Sequence, residues 1–158
     1  MNQVEIEKTS GDRYLKFHLE PQTPAILAME HVQEVLIIPS RRITPMPNMP
    51  ECVLGLLNRR NRVLWMIDLA QMLGLQPFGN NSQQYNVVII QVKQITLGLL
   101  VQEVKGVTHF GANLIQAPIE LVTSALIPYL YGCIFQEQEL LLVLNAEAIV
   151  ISPALYRN

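Results

Sequence analysis

Val53-Leu-Gly-Leu-Leu-Asn-Arg-Arg-Asn-Arg-Val-Leu-Trp-Met-Ile-Asp-Leu69 consists of two apolar, β-prone runs on either side of a polar tetrad, closed by a helix-capping residue. That pattern predicts a hairpin, with Arg59-Arg-Asn-Arg62 as its turn, leading into a helix over Asp68 to Gly74. Asn61 suits the turn because it tolerates a left-handed backbone. Seventy-seven residues on, the pattern returns without a gap as Leu130-Tyr-Gly-Cys-Ile-Phe-Gln-Glu-Gln-Glu-Leu-Leu-Leu-Val-Leu-Asn-Ala146. Gly55 then meets Gly132, the arginine tetrad meets Gln136-Glu-Gln-Glu139, and Asp68 meets the second capping residue, Asn145.

Working outward, Val32-Gln-Glu-Val35 recurs letter for letter as Val101-Gln-Glu-Val104, at an offset of 69. With the hairpins, this argues for an internal duplication. Further strands are expected at Tyr14 to Leu19, Ala25 to Met29, Val32 to Ile38, Val87 to Val92, Thr96 to Val101 and Val104 to Phe110. Pro39, Pro45, Pro47 and Pro50 disfavour regular structure up to residue 50. Residues 76–86 are polar and turn-prone and read as a connector, and a last helix is expected from Ala146 to Val150. The fold class is therefore mainly β: two similar units, each too small to be robust alone, forming two small barrels or sheets that share one core.

Bulk composition narrows the function. Half of the 158 residues are apolar and 15% are charged, as in a well-packed domain. No apolar run approaches the roughly 20 residues that cross a bilayer, so no direct membrane insertion is expected and the compartment is read as cytoplasmic. A net charge of −2 argues against nucleic acid as a partner. Five of the seven arginines nevertheless lie between positions 41 and 62.

Reaction chemistry is not indicated. His18, His31 and His109 are isolated, there is no GxSxG or HExxH, and the glycines form no phosphate loop. Cys52 and Cys133 lack metal-ligand spacing and read as small buried hydrophobes. No catalytic residue, metal or cofactor is assigned. Two features suit binding. The arginine tetrad could grip carboxylates or be a solvated turn, and Pro45-Met-Pro-Asn-Met-Pro50 could meet a partner or line the core.

The run Ile43-Thr-Pro-Met-Pro…Pro50-Glu-Cys-Val-Leu-Gly55-Leu-Leu-Asn58-Arg-Arg60-Asn-Arg-Val-Leu-Trp-Met-Ile-Asp68-Leu resembles the signature of CheW-like chemotaxis adaptors. In that family a proline-bearing loop leads into V-x-G-[LV]-x-N-x-R-G and a strand ending I-D-L. Tyr14 to Leu19, Val32 to Val35, Val87 to Ile90 and Leu97 to Val101 follow the family's order, placing one domain at 13–151 with tails at 1–12 and 152–158. The resemblance implies two intertwined five-stranded SH3-like barrels and no reaction of the protein's own. It implies a scaffold that couples chemoreceptor cytoplasmic tips to a CheA-type histidine kinase, recruited to membrane-bound receptor arrays.

Carried over by the motif, Val32, Glu34, Gly55, Asn58 and Arg60 are partner-facing or site-shaping positions; Gly55, Asn58 and Arg60, with Arg59 and Arg62 of the same turn, are the kinase-binding candidates. Val32, Glu34, Val87, Leu97 and Gly98 are the receptor-binding candidates, the last three in a groove between the barrels. Asn61 stands where the family has Gly, and Arg59 stands at a usually apolar position, which makes the turn more basic. Val63 to Leu75 is similar to the version found in cyanobacterial pilus and phototaxis systems.

Overall fold

The computed structural model describes residues 11–77, 82–117 and 122–156. Its strands are β1 (Asp12–Glu20), β2 (Thr23–Ala28), β3 (Val32–Pro39), β4 (Val53–Arg59), β5 (Arg62–Asp68), β6 (Gln84–Val92), β7 (Ile95–Val101), β8 (Glu103–Phe110), β9 (Leu130–Gln136) and β10 (Glu139–Leu144). Two short helices, α1 (Leu69–Met72) and α2 (Ala146–Val150), follow β5 and β10. Each begins on the expected cap: Asp68 accepts from the Gln71 backbone N–H at 3.2 Å, and Asn145 from that of Ala148 at 3.1 Å. The expected connector is shorter than 76–86, because β6 starts at Gln84; residues 78–81 lie outside the described residues.

The strands form two five-stranded sheets, ordered β3-β6-β7-β5-β4 and β8-β1-β2-β10-β9. We call them the arginine barrel and the glutamate barrel after the turns they carry. Within each half of the duplication, the first two strands join the sheet built by the other half's last three. Each join has two seams, one antiparallel (β3 with β6, β8 with β1) and one parallel, Trp65 opposite Leu97 in one sheet and Leu142 opposite Ala25 in the other.

A single isolated bridge closes each sheet: Thr44, beyond β3, pairs with Leu56 of β4, and Gln116, beyond β8, pairs with Cys133 of β9. Gly55 and Gly132 sit at these closures with φ of 146° and 157°. A Cβ on Gly55 would overlap the Thr44 carbonyl oxygen and stand 2.7 Å from its carbon; one on Gly132 would overlap the Gln116 carbonyl oxygen. The paired glycines are therefore the chemistry of closure, since only a residue without Cβ lets the two backbones approach.

Hydrogen-bond register corrects one part of the duplication. Val32 faces Ile90 and Glu34 faces Ile89, with Gln33 bulged between; in the other barrel Val104 faces Phe17 and Gly106 faces Lys16, with Lys105 bulged. Val32 is thus equivalent to Val104 and Glu34 to Gly106, so the matching tetrapeptides are out of register by three residues. The 77-residue offset of the hairpins holds throughout. Their turns are also tighter than expected. Arg59 pairs with Arg62, leaving Arg60 and Asn61 as a two-residue loop at φ 52° and 63°, and Glu137 and Gln138 repeat it at 52° and 66°. Positive φ at both loop residues is what the twist of a tight hairpin requires.

Among the described residues the expected shared core is present between the barrels, and each barrel has a smaller apolar cluster of its own besides. Leu57, Met66, Val87, Ile89 and Leu100 fill the arginine barrel, and Tyr14, Ile26, Phe110, Ile134 and Val143 fill the glutamate barrel. The largest cluster lies between the barrels and includes Phe17, Leu27, Ile67, Val88, Ile90, Leu99, Leu142 and Ile149. Of residues 152–156, expected as tail, Ser152, Ala154 and Leu155 pack against the rest of the molecule, while Pro153 and Tyr156 are exposed. Ser152 is buried and lies 2.5 Å from the Tyr129 hydroxyl, and Leu155 joins the cluster.

Candidate docking surfaces

Glu34 projects from the start of β3 toward the hairpin that joins β4 to β5. Its carboxylate pairs with the Arg59 guanidinium, and Arg60 Nη2 approaches the same oxygen at 3.5 Å. Arg62 Nη2 donates to Thr96 Oγ1 at 2.8 Å. With Gln33, Leu64 and Ile89 these groups border a shallow depression of about 550 Å³ at the mouth of the arginine barrel. The hydrogen bond from Arg59, reinforced by both arginine charges, holds the Glu34 carboxyl below its ordinary range, and Glu34 correspondingly raises Arg59. Three guanidiniums share the depression with one carboxylate, so positive charge is left over on Arg60, whose side chain is 74% exposed, and on Arg62, which is hydrogen-bonded to Thr96.

Because Glu34 is stabilised in its charged form, the contribution of this pair is present at neutral pH and is lost as pH falls through the lowered range. Thermal melts of Glu34→Gln should fall slightly below those of the native protein at neutral pH. The gap should close on acidification; a gap that persists at low pH would assign it to something other than the ion pair.

A second surface lies on the flank of the same barrel. Met49, Val53, Trp65, Ile67, Ile95, Leu97 and the docked Leu155 and Tyr156 line an apolar groove of about 450 Å³. Trp65 is half-buried there, and Met49 brings the end of the proline-methionine segment to the rim. The other methionine, Met46, is exposed. The segment therefore contributes one residue to a surface and does not line a barrel core.

The structure separates the residues singled out from sequence. Glu34 joins Arg59, Arg60 and Arg62 in one depression, although it was grouped with the receptor candidates. Asn58 is exposed beside them, its carbonyl 3.5 Å from Arg42 Nη2. Val32 is half-buried against the inter-barrel cluster. Gly55 is buried at the barrel closure and offers no surface of its own. Val87 is wholly buried inside the arginine barrel, and a Cβ on Gly98 would overlap Met66 Sδ; neither lines an open groove. Where a groove between barrels was expected, the interface is filled, and Leu97 reaches the flank groove at its margin. Trp65 and Met49 were not among the candidates. Their signal was present, an aromatic residue on the face of β5 opposite Leu64 and Met66, and a methionine in a rigid proline frame.

Both cysteines are free and buried, and burial pushes both thiols up, away from the reactive thiolate. Among the described residues no helix is long and apolar enough to cross a membrane.

Comparison with known proteins agrees with this architecture. Protein PilI of Pseudomonas aeruginosa is 32% identical over 115 residues, 72% of this chain and 62% of PilI, so the match spans about three fifths of that relative. A probable chemotaxis protein CheW of Rhizobium etli is 28% identical over 106 residues, covering 67% of this chain and 68% of its own. The crystal structure of scaffolding protein TtCheW from Thermoanaerobacter tengcongensis superimposes with a TM-score of 0.74 at 24% identity, over 86% of this chain and 90% of that one. This likeness extends to the paired SH3-like barrels. Residues 13–153 fit the CheW-like domain as a whole, and the chain belongs to the CheW-like domain family.

Proposed function

We propose that the protein is a non-enzymatic adaptor that couples the cytoplasmic tips of chemoreceptors to a CheA-type histidine kinase, working in the cytoplasm at receptor arrays. The observation that carries this reading is the presence of two chemically different surfaces on one rigid pair of barrels. The arginine mouth, with Asn58, Arg59, Arg60 and Arg62, suits a carboxylate-bearing kinase surface through bidentate contacts. The flank groove, with Trp65 and Leu97, suits the apolar side of a receptor helical hairpin. Glu34 orients the arginines, Gly55 shapes the barrel behind them, and Val32, Val87 and Gly98 support the sheet that carries the groove.

The test is binding by the purified chain to a CheA-type kinase regulatory domain and, separately, to a receptor tip fragment. Arg60→Glu should weaken kinase binding at least about ten-fold, the effect of roughly 1.4 kcal/mol, and leave receptor binding unchanged. Ile95→Glu, at the groove rim, should do the reverse. Kinase binding that survives Arg60→Glu at full strength would remove the arginine mouth from the mechanism.

The likeness to PilI and the extra Arg59 favour a second reading, in which the same surfaces serve a type IV pilus or phototaxis system with altered kinase coupling. Binding to a pilus-signalling receptor but to no CheA-type kinase would select it.

A further inference from the structure

The end of the glutamate barrel remote from its hairpin turn, where β1 starts and β2 and β10 finish, is built differently from the same end of the arginine barrel. The parallel seams set the equivalence. Ala25 lies beside Leu142 as Leu97 lies beside Trp65, at the 77-residue offset of the hairpins, so Ala28 is equivalent to Leu100. Tyr14 faces Ala28 as Val87 faces Leu100, which makes Tyr14 equivalent to Val87. In the arginine barrel Val87 and Leu100 are buried and fill this space with carbon. In the glutamate barrel the small Ala28 stands in place of leucine and Tyr14 in place of valine. A cavity of about 670 Å³ opens there, and Tyr14 and Ala28 both line it.

Tyr14 is only 6% exposed, and its ring packs on Phe110 with centroids 6.3 Å apart. Its hydroxyl has no hydrogen-bond partner among the described residues. A buried hydroxyl without a partner is a cost, and Val87 shows that the barrel closes over carbon at this position. Burial, then the Asp12 carboxylate and Tyr131, push the ionisation of this hydroxyl up, so it stays protonated and can both donate and accept. Asp12, two residues before Tyr14, and Glu30, two after Ala28, bring exposed carboxylates to the rim; with Arg13 beside them the lining keeps a net charge of −1. Glu30 also lies 3.8 Å from His31 Nε2. The exposed Tyr131 adds a second phenol, and Ala28, Met29 and Leu144 supply an apolar wall. Carboxylates and hydroxyls that accept N–H groups, electron-rich ring faces and an apolar wall are together what recognises an organic cation on an alkyl stem.

We infer that this cavity binds an alkylammonium or alkylguanidinium group, whose N–H donors meet the Tyr14 hydroxyl and the Asp12 and Glu30 carboxylates. The group is carried by a free small amine or by a lysine or arginine side chain of a partner; the chemistry is the same. The site is separate from the arginine mouth and from the flank groove, so its test is independent of the reading proposed above.

The experiment is a nuclear magnetic resonance titration of the full chain with n-butylammonium, n-butylguanidinium and neutral n-butanol, and with blocked pentapeptides holding one lysine or one arginine among glycines. At least one cation should bind with a Kd on the order of 1 mM or tighter, shifting the amides around Tyr14 and Ala28, and butanol should not. Tyr14→Phe and Asp12→Asn should each weaken that binding at least about ten-fold, the loss of a hydrogen bond to a charged group. Without ligand Tyr14→Phe should melt no lower than the native protein, because it removes a hydroxyl that has no partner, so lost binding is not lost folding. Glu137→Gln, at the other end of the barrel, should bind as the native chain does. A peptide that binds more tightly than the free amines assigns the group to a partner's side chain, and free amines that bind where the peptides do not assign it to a small molecule. No binding by any cation up to about 10 mM, butanol binding as well as butylammonium, Tyr14→Phe binding at native strength, or Glu137→Gln losing as much as Asp12→Asn would each overturn the inference.

Discussion

Replacing Gly55 with alanine should destabilise the protein by roughly 3–5 kcal/mol, the sum of an overpacking penalty and a left-handed backbone forced on a residue with Cβ. The added methyl would have to displace the Thr44 carbonyl, whose bridge to Leu56 is the one pairing that closes the arginine barrel. Against a total stability of about 5–15 kcal/mol, this is enough to lower the melting temperature by on the order of 10 °C or to leave the chain insoluble. Gly132→Ala should behave alike, since its Cβ would meet the Gln116 carbonyl at the other closure. Gly106→Ala is the informative control. Its φ is 126° and nothing lies within 4 Å of the added atom, so it carries the backbone strain without the collision. If denaturation shows Gly55→Ala no worse than Gly106→Ala, closure by the glycine has been overestimated.

Phe17→Ala should cost about 3–5 kcal/mol, in the range for removing a buried aromatic side chain from a core. Phe17 is fully buried on β1, facing the cluster between the barrels and not the interior of its own barrel. The loss should therefore be felt by both barrels. Urea unfolding, followed separately by Trp65 fluorescence in the arginine barrel and by far-ultraviolet dichroism, should shift to lower denaturant as one coincident transition. Two separated transitions would mean that the barrels are independent units. Phe135→Ala, which removes an exposed ring, should change stability by no more than about 0.5 kcal/mol.

The hairpins, both helix caps and the 77-residue repeat were legible because each rests on neighbouring residues whose chemistry is local. Turn, cap and apolar run lie within seventeen residues of one another. Strand exchange was not legible, since the parallel pairings of Trp65 with Leu97 and of Leu142 with Ala25 join segments that no local pattern connects. Val87-Val-Ile-Ile90 shows a second limit. All four are buried, alternately inside the barrel and between the barrels, so a uniformly apolar strand does not reveal which residue faces which space. Val87 was assigned to the wrong face for that reason.

In the docking surfaces, the arginine cluster stood out because charge at a turn is visible in the sequence. Glu34 lies 25 residues from Arg59, and only the packing of β3 against β6 brings it to the mouth. The tetrapeptide at 32–35 misled in a similar way: identical letters recurred, but bulges at Gln33 and Lys105 set the register.

The exchange of strand pairs also orders events during synthesis. The arginine barrel is drawn from one continuous stretch, β3 to β7, and can close soon after residue 101 leaves the ribosome. The hairpin of β1 and β2 is made first, yet its neighbours β8 and β10 come last, with β10 ending 116 residues after Ala28. At about 5–20 residues per second that delay is roughly 6–23 s. Until the arginine barrel closes, Phe17 and Leu27 on one face lack the residues that will cover them, and Tyr14 and Ile26 on the other wait longer, for β8 and then β9 and β10. The nascent chain thus carries a sticky hairpin through most of its elongation, and premature pairing of that hairpin, between neighbouring nascent chains on one message, is the misfolding route this topology opens.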